Sequence, residues 1–155
     1  MGATDELVEE LQRERDGFFE ALEAVSPESM TTPGLVGEWS AREIIAHLGY
    51  WAGHAAEAIH AVEQGRTEPD ESDTEAVNQT VARVARSTDF GTVRKRVAAS
   101  FEALAERLRG LDPALLSTEL PEGDTLLDAV RGDGSEHYRD HAEQLRAVLG
   151  EPARG

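Results

Sequence analysis

Apolar residues recur at intervals of three, four and seven along most of this chain, the spacing of one face of an α-helix. Leu7, Leu11, Phe18, Leu22 and Val25 mark a first helix over 5–25. Ser26-Pro27 ends it, because the residue before a proline avoids the α region. Residues 29–39, with Pro33, Gly34 and Gly37, form a connection. Ser40 and Glu43 then make an S-x-x-E capping box. The helix it opens runs to about Gln64, with Ile44, Ile45, Leu48, Ala52, Ala55, Ile59 and Val62 as a broad apolar face. Trp39, just before the cap, is placed to pack back on the first turn as a staple.

Residues 65–74 are polar, acidic and proline-containing, and read as a loop. A shorter helix over 75–86 follows, with Val77, Val81 and Val84 as its apolar side. A long one over 89–110 carries the stripe Val93, Val97, Phe101, Leu104 and Leu108, continuing to Leu111. Asp112-Pro113 suits the cap and first position of one short turn, and Pro121-Glu122-Gly123 is a turn. The last segment, 124–149, is helical but interrupted at Gly132-Asp133-Gly134. Within it Val130, His137, His141, Leu145 and Val148 fall along one side. Gly150-Glu151-Pro152 stops the helix, and residues 151–155 are expected to fray.

No hairpin signal, internal repeat or glycine-rich phosphate loop breaks the pattern. The expected fold is an all-α four-helix bundle, one domain over 1–150, with a short extra helix in the long connection between the second and third helices. Spacing alone leaves up-down-up-down and up-down-down-up connectivity open. The long crossover after residue 64 favours the second.

Composition narrows the setting. The 155 residues contain no cysteine, which rules out disulfides, thiolate ligands and a protein thiol nucleophile. There is no run of ~18 apolar residues to suggest a membrane span, and no basic-then-apolar leader. The expected location is the cytoplasm, without membrane association. The net charge of −16 is unevenly spread. It argues against nucleic acid as a partner, since such a chain repels phosphate backbones. Arg83, Arg86, Arg94, Lys95 and Arg96 are the exception, facing only Asp89 across 83–96. They read as a solvated basic face, or more sharply as an anchor for a carboxylate-bearing small molecule.

The chemistry lies in the histidines. His137 and His141 are four apart on a helix, so both rings can reach one ion. Alone, an H-x-x-x-H pair has an ordinary explanation, as tolerated surface or core histidines. Both, however, share a side with apolar residues, where an unpaired imidazole is costly to bury. His47 follows Ile44 by three and precedes Leu48 within the second helix, and is the leading third ligand. His54 lies two turns beyond, about 10 Å from His47, too far for the same ion, and reads as a surface histidine near the bundle end, or else as a pocket wall or a donor behind the ligands. His60 reads as exposed. Glu43 is accounted for by its capping role. Tyr50, Trp51 and Tyr138 are candidate pocket groups, with a place in the core as the commoner alternative.

At this point the residues resemble a family. The run Glu38-Trp39-Ser40-Ala41-Arg42-Glu43-Ile44-Ile45-Ala46-His47-Leu48 resembles the W-S-x-x-E/D-x-x-x-H-L signature of DinB-like (YfiT-like) proteins. The run from Glu136-His137-Tyr138 through Asp140-His141-Ala142-Glu143-Gln144-Leu145-Arg146 resembles their closing H-Y-x-x-H-x-x-Q-L/I-R helix. The resemblance implies an up-down-down-up bundle, often dimeric, with a divalent metal on His47, His137 and His141. It also implies a possible range of activities, from thiol-dependent S-transferases and mycothiol-dependent maleylpyruvate isomerase to hydrolase-like resistance proteins.

The expected function is therefore a metal-dependent enzyme acting on a small electrophilic molecule, as an S-transferase, isomerase or hydrolase. Zinc or nickel is the leading ion, although three imidazoles also accept iron or copper. Any thiol must come from a low-molecular-weight cosubstrate, since the chain has none. The alternative is a protein of the same fold that binds or sequesters a small molecule or metal without turnover. A homodimer is the expected assembly.

Overall fold

The computed structural model describes residues 2–67, 69–70 and 72–150. The expected tail, 151–155, lies outside the described residues. Six α-helices lie among the described residues: α1 (Ala3–Leu22), α2 (Ala41–Glu63), α3 (Thr74–Arg86), α4 (Phe90–Gly110), α5 (Leu126–Asp133) and α6 (Ser135–Val148). Short 3-10 turns occupy Glu28–Met30 and Pro113–Ser117. No strand occurs among the described residues; the only sheet-like pairings are the isolated bridges Val36–Trp39 and Glu119–Thr125.

Local chemistry sets the boundaries. The side chains of Asp73, Asp89, Asp112 and Thr125 accept backbone N–H groups at the starts of their helices or turns, replacing intrahelical partners that do not exist there. The end of α2 is closed by Gly65 at φ +73°, with Gly65 N–H donating to Val62 and Arg66 N–H to Ala61. That pair of bonds needs a left-handed residue, which glycine adopts at least cost.

Cross-helix pairs establish the directions. Arg42 reaches Thr88, Gly49 abuts Val97, and Arg107 meets Glu63, so α2 and α4 run parallel. Arg131 pairs with Glu10 and Arg146 donates to the Gly17 carbonyl, so α1 and the α5–α6 segment also run parallel. Arg15 lies 3.9 Å over Phe101 and Arg94 4.6 Å over Phe19, which sets α1 antiparallel to α4. The bundle is thus up-down-down-up. Simple up-and-down connectivity is excluded because the crossover through α3 returns the chain to the end from which α2 began.

The core contains every apolar residue expected from α1, α2 and α4, including Phe18, Ile44, Ile45, Leu48, Phe101 and Leu104 at 1% exposure or less. Two stripes differ from expectation. The buried side of α3 is Ala82 and Ala85, while Val84 is exposed and Val81 lines a surface groove with Tyr50 and Val97. Here α3 crosses outside α2, and alanines permit the close approach that valines would obstruct. On the last segment the buried line is Leu126, Val130, Tyr138, Ala142 and Leu145, while Val148 is exposed. The helix break resets the phase, so His137 and His141 stand at the margin of the stripe.

That break is steric. Gly134 has φ −113° and ψ −102°, and a Cβ there would lie 2.7 Å from the Val130 carbonyl oxygen. The same Cβ would lie 3.3 Å from methyls of both Leu104 and Leu11. Only glycine lets the α5–α6 joint seat against α1 and α4 in this way.

Candidate metal centre

His47 sits in the second turn of α2, 8% exposed, and His137 and His141 are one turn apart on α6. The His47 and His137 Nε2 atoms are 2.8 Å apart, and those of His137 and His141 are 3.2 Å apart. One nitrogen from each ring falls within a 4.8 Å set. The bundle achieves this by placing the start of α2 beside the start of α6. The three rings form a group able to hold a metal ion.

The electrostatics suit that role. Burial lowers the pKa of His47 to about 4, with His141 as a second cause. Burial also lowers His137 to about 3, reinforced by His47 and His141. His141 is lowered too, mainly by burial. All three are therefore neutral at pH 7, with nitrogen lone pairs directed at one small region. Three lone pairs crowded together repel unless a cation lies between them, so the donor set fits a divalent ion.

The outer nitrogens differ. His141 Nδ1 is 2.8 Å from Gln144 Oε1, an acceptor that leaves Nε2 as the free lone pair. Nδ1 of His47 and Nδ1 of His137 are buried without a hydrogen-bond partner. The Asn78 side chain raises the His47 pKa and the Asp133 backbone raises that of His137, each against the larger effect of burial. Neither residue stood out in the sequence. Asn78 lies one turn before Ala82 on α3, and Asp133 was visible only as part of the helix interruption.

A cleft of about 390 Å³ opens beside His47 and His137, walled by Trp51, Thr74, Asn78 and Asp133. Trp51 donates its indole N–H to Asn78 Oδ1 at 2.8 Å. Of the three aromatic candidates, only Trp51 lines this cleft. Tyr50 faces the groove between α2, α3 and α4, and Tyr138 is fully buried between Phe18 and Phe101. Burial raises the Tyr138 phenol. Trp39 faces the histidine group, its ring centroid 5.2 Å from that of His47.

His54 is more than a surface histidine. Nδ1 lies 2.9 Å from Asp133 Oδ2, and Nε2 lies 2.9 Å from Asp70 Oδ2. The hydrogen bond to Asp133 raises its pKa to about 9 against the opposing effect of burial, with Asp70 adding to the rise. It is therefore an imidazolium at pH 7. His60 is half-buried and contacts Arg107. Glu43 is fully buried, bonded to the Ser40 hydroxyl and paired with Arg86 at 3.3 Å. Ser40 makes no side-chain bond to the helix backbone, so the expected capping box is not formed; the Glu43 carboxylate instead holds the Ser40 hydroxyl and ties α2 to the end of α3. The basic cluster is accordingly divided: Arg86 turns in to Glu43, and Arg94 covers Phe19.

The family model for the DinB superfamily matches residues 10–145. The chain belongs to the DinB superfamily. No curated protein matches the sequence. Solved DinB-like structures match its fold. The colibactin self-resistance protein ClbS, in complex with a dsDNA, superposes at TM-score 0.79 and 16% identity over 97% of each chain. An uncharacterised Escherichia coli UTI89 protein gives 0.78 and 13%, covering 95% of this chain and 92% of its own. The mycothiol-dependent maleylpyruvate isomerase gives 0.76 and 18%, covering 98% of this chain. This DinB chain spans only 62% of that isomerase.

The ClbS complex corrects one expectation. Exclusion of nucleic acid rested on net charge, and a protein of this fold is solved with dsDNA, so nucleic acid binding is possible in the fold. The physical reason is screening: beyond about 10 Å at 0.1 M salt, charges elsewhere on a chain carry little weight against those at a contact. A chain-wide sum of −16 therefore cannot decide what one face binds. No helix among the described residues is long and apolar enough to cross a membrane.

Proposed function

We propose that this DinB protein is a metal-dependent enzyme that holds a divalent ion, zinc or nickel first, on Nε2 of His47, His137 and His141. It acts on a small electrophilic molecule, with an external thiol or water as nucleophile. The observation that carries this reading is the convergence of three neutral imidazoles beside an open cleft. An ion held by neutral ligands keeps its full positive charge and supplies Lewis acidity, which makes a thiol or water a stronger nucleophile near pH 7.

The chain's own groups have defined tasks. Gln144 fixes the His141 tautomer so that Nε2 presents a lone pair. Trp51, anchored to Asn78, walls the cleft and provides a flat apolar surface for substrate. The absence of cysteine assigns the nucleophilic sulfur, where one is used, to a low-molecular-weight cosubstrate. The thiol dependence named for the maleylpyruvate isomerase supports that choice.

Elemental analysis of protein purified without a metal-affinity tag should find about one divalent ion per chain, absent when all three histidines are changed to glutamine. Incubation with a thiol and an electrophile should consume more than one equivalent per chain, and His141→Ala should stop it. Undiminished metal in the triple variant would sink the site. Consumption that ends at one equivalent would instead favour the non-catalytic binding role.

A further inference from the structure

His54 and Asp133 repeat, two turns along α2, the cross-helix link made by His47 and His137. His47 and His54 are seven apart on α2, and Asp133 and His137 are four apart across the α5–α6 joint. The inner link is the 2.8 Å approach of two ligand nitrogens, and the outer link is the 2.9 Å contact of His54 Nδ1 with Asp133 Oδ2. Asp133 is the last residue of α5, next to the Gly134 break, where helical hydrogen bonding gives the backbone its least support. Asp133 also borders the cleft that opens beside His47 and His137. Ligand histidines depend on the groups that hold them from behind, and loss of such support typically weakens metal binding ~10–100-fold.

Resting on the metal-site reading above, we propose that His54 is a positioning residue of the centre. By holding the Asp133 side chain it fixes the α5–α6 joint, and with it the first turn of α6, which carries His137. Nothing in this assignment requires His54 to touch the ion or the substrate. Its second bond, to Asp70, serves a different element. Asp70 lies in the loop between α2 and α3, caps Ser72, and accepts from His54 on the solvent side, where Glu122 receives the Asp70 N–H. The two bonds of one ring can therefore be separated by experiment. Asparagine carries its amide nitrogen at about the place of Nδ1 and can keep the Asp133 contact. Glutamine reaches the place of Nε2 and can keep only the Asp70 contact.

The test is Co²⁺ titration of the full metal-free chain, read by dissociation constant and visible d–d spectrum. His54→Ala and His54→Gln should weaken Co²⁺ binding about 10-fold or more and alter the spectrum. His54→Asn and Asp70→Asn should remain within about threefold of the parent, with its spectrum. If His54→Ala fails to fold, the asparagine and glutamine variants at matched far-ultraviolet dichroism decide the matter. Equal constants and spectra for that pair, or an unchanged constant in a folded His54→Ala, would overturn the assignment. Failure of the parent chain to bind about one Co²⁺ would overturn the metal-site reading itself, an outcome distinguishable from unequal or equal variants of a binding parent.

Discussion

Gly134→Ala probes the feature on which the placement of His137 depends. The new Cβ would lie 2.7 Å from the Val130 carbonyl oxygen and 3.3 Å from a methyl of Leu104 and of Leu11. The first contact is with backbone and cannot be relieved by a rotamer change. The other two are with leucines 0% and 2% exposed, which have little room to yield. Overpacking of this kind costs ~1–3 kcal/mol, and about 2 kcal/mol is expected here. In a chain of this size that lowers the melting temperature by about 4–8 °C. Gly132→Ala, two residues earlier, supplies the control. A Cβ there meets nothing within 4 Å, and the position is helical, so the unfolded chain loses freedom at no steric cost. A gain of about 0.5 kcal/mol is expected. Urea denaturation of the metal-free proteins, analysed for midpoint at constant slope, measures both. Opposite signs support the reasoning. A neutral Gly134→Ala would refute it, because the helix break would then owe nothing to close packing.

Three further expectations concern pH and the core. In metal-free protein, unfolded histidines take up protons below about pH 6.5, whereas folded His47 does so near 4 and His137 near 3. The unfolded state therefore binds more protons between pH 4 and 6.5, and stability must fall as the pH is lowered through that window. For nearly buried His47, the step from pH 7 to 4.5 corresponds to about 2–3 kcal/mol; His47→Gln should lose that much less, and an identical loss in both proteins would count against a buried neutral ring. His54 has the opposite sign: its stabilisation, from a pKa raised to about 9, is full below 6.5 and lost as pH rises through 9. An imidazole titration followed by proton NMR that places His54 at or below 6.5 would contradict the two-carboxylate clamp. Tyr138→Phe removes a buried hydroxyl with no hydrogen-bond partner and should stabilise by about 1–2 kcal/mol in urea; a loss would show that the hydroxyl is satisfied after all.

Residue spacing and capping chemistry alone specify the elements, the apolar faces of α1, α2 and α4, and the three histidines that the fold brings together. Those properties are local or periodic: a cap such as Asp89 acts within one turn, and the spacing of Ile44, Leu48, Ala52 and Ala55 fixes a face whatever packs on it. Tertiary structure decided what depends on partners. Val81 and Val84 satisfy the helical period, yet α3 buries Ala82 and Ala85, because the side a crossover helix presents is set by the helix beneath it. Glu43 has the spacing of a capping box, yet it bonds only the Ser40 hydroxyl, and its charged partner, Arg86, arrives when the chain returns. His54 stood correctly two turns from His47, but its carboxylates come from 16 and 79 residues away, Asp70 and Asp133. Separation of that kind leaves no spacing to read. The three-histidine group was legible because two of its members are one helical turn apart, whereas Asn78 and Asp133 came to line the cleft beside it only when the helices had closed.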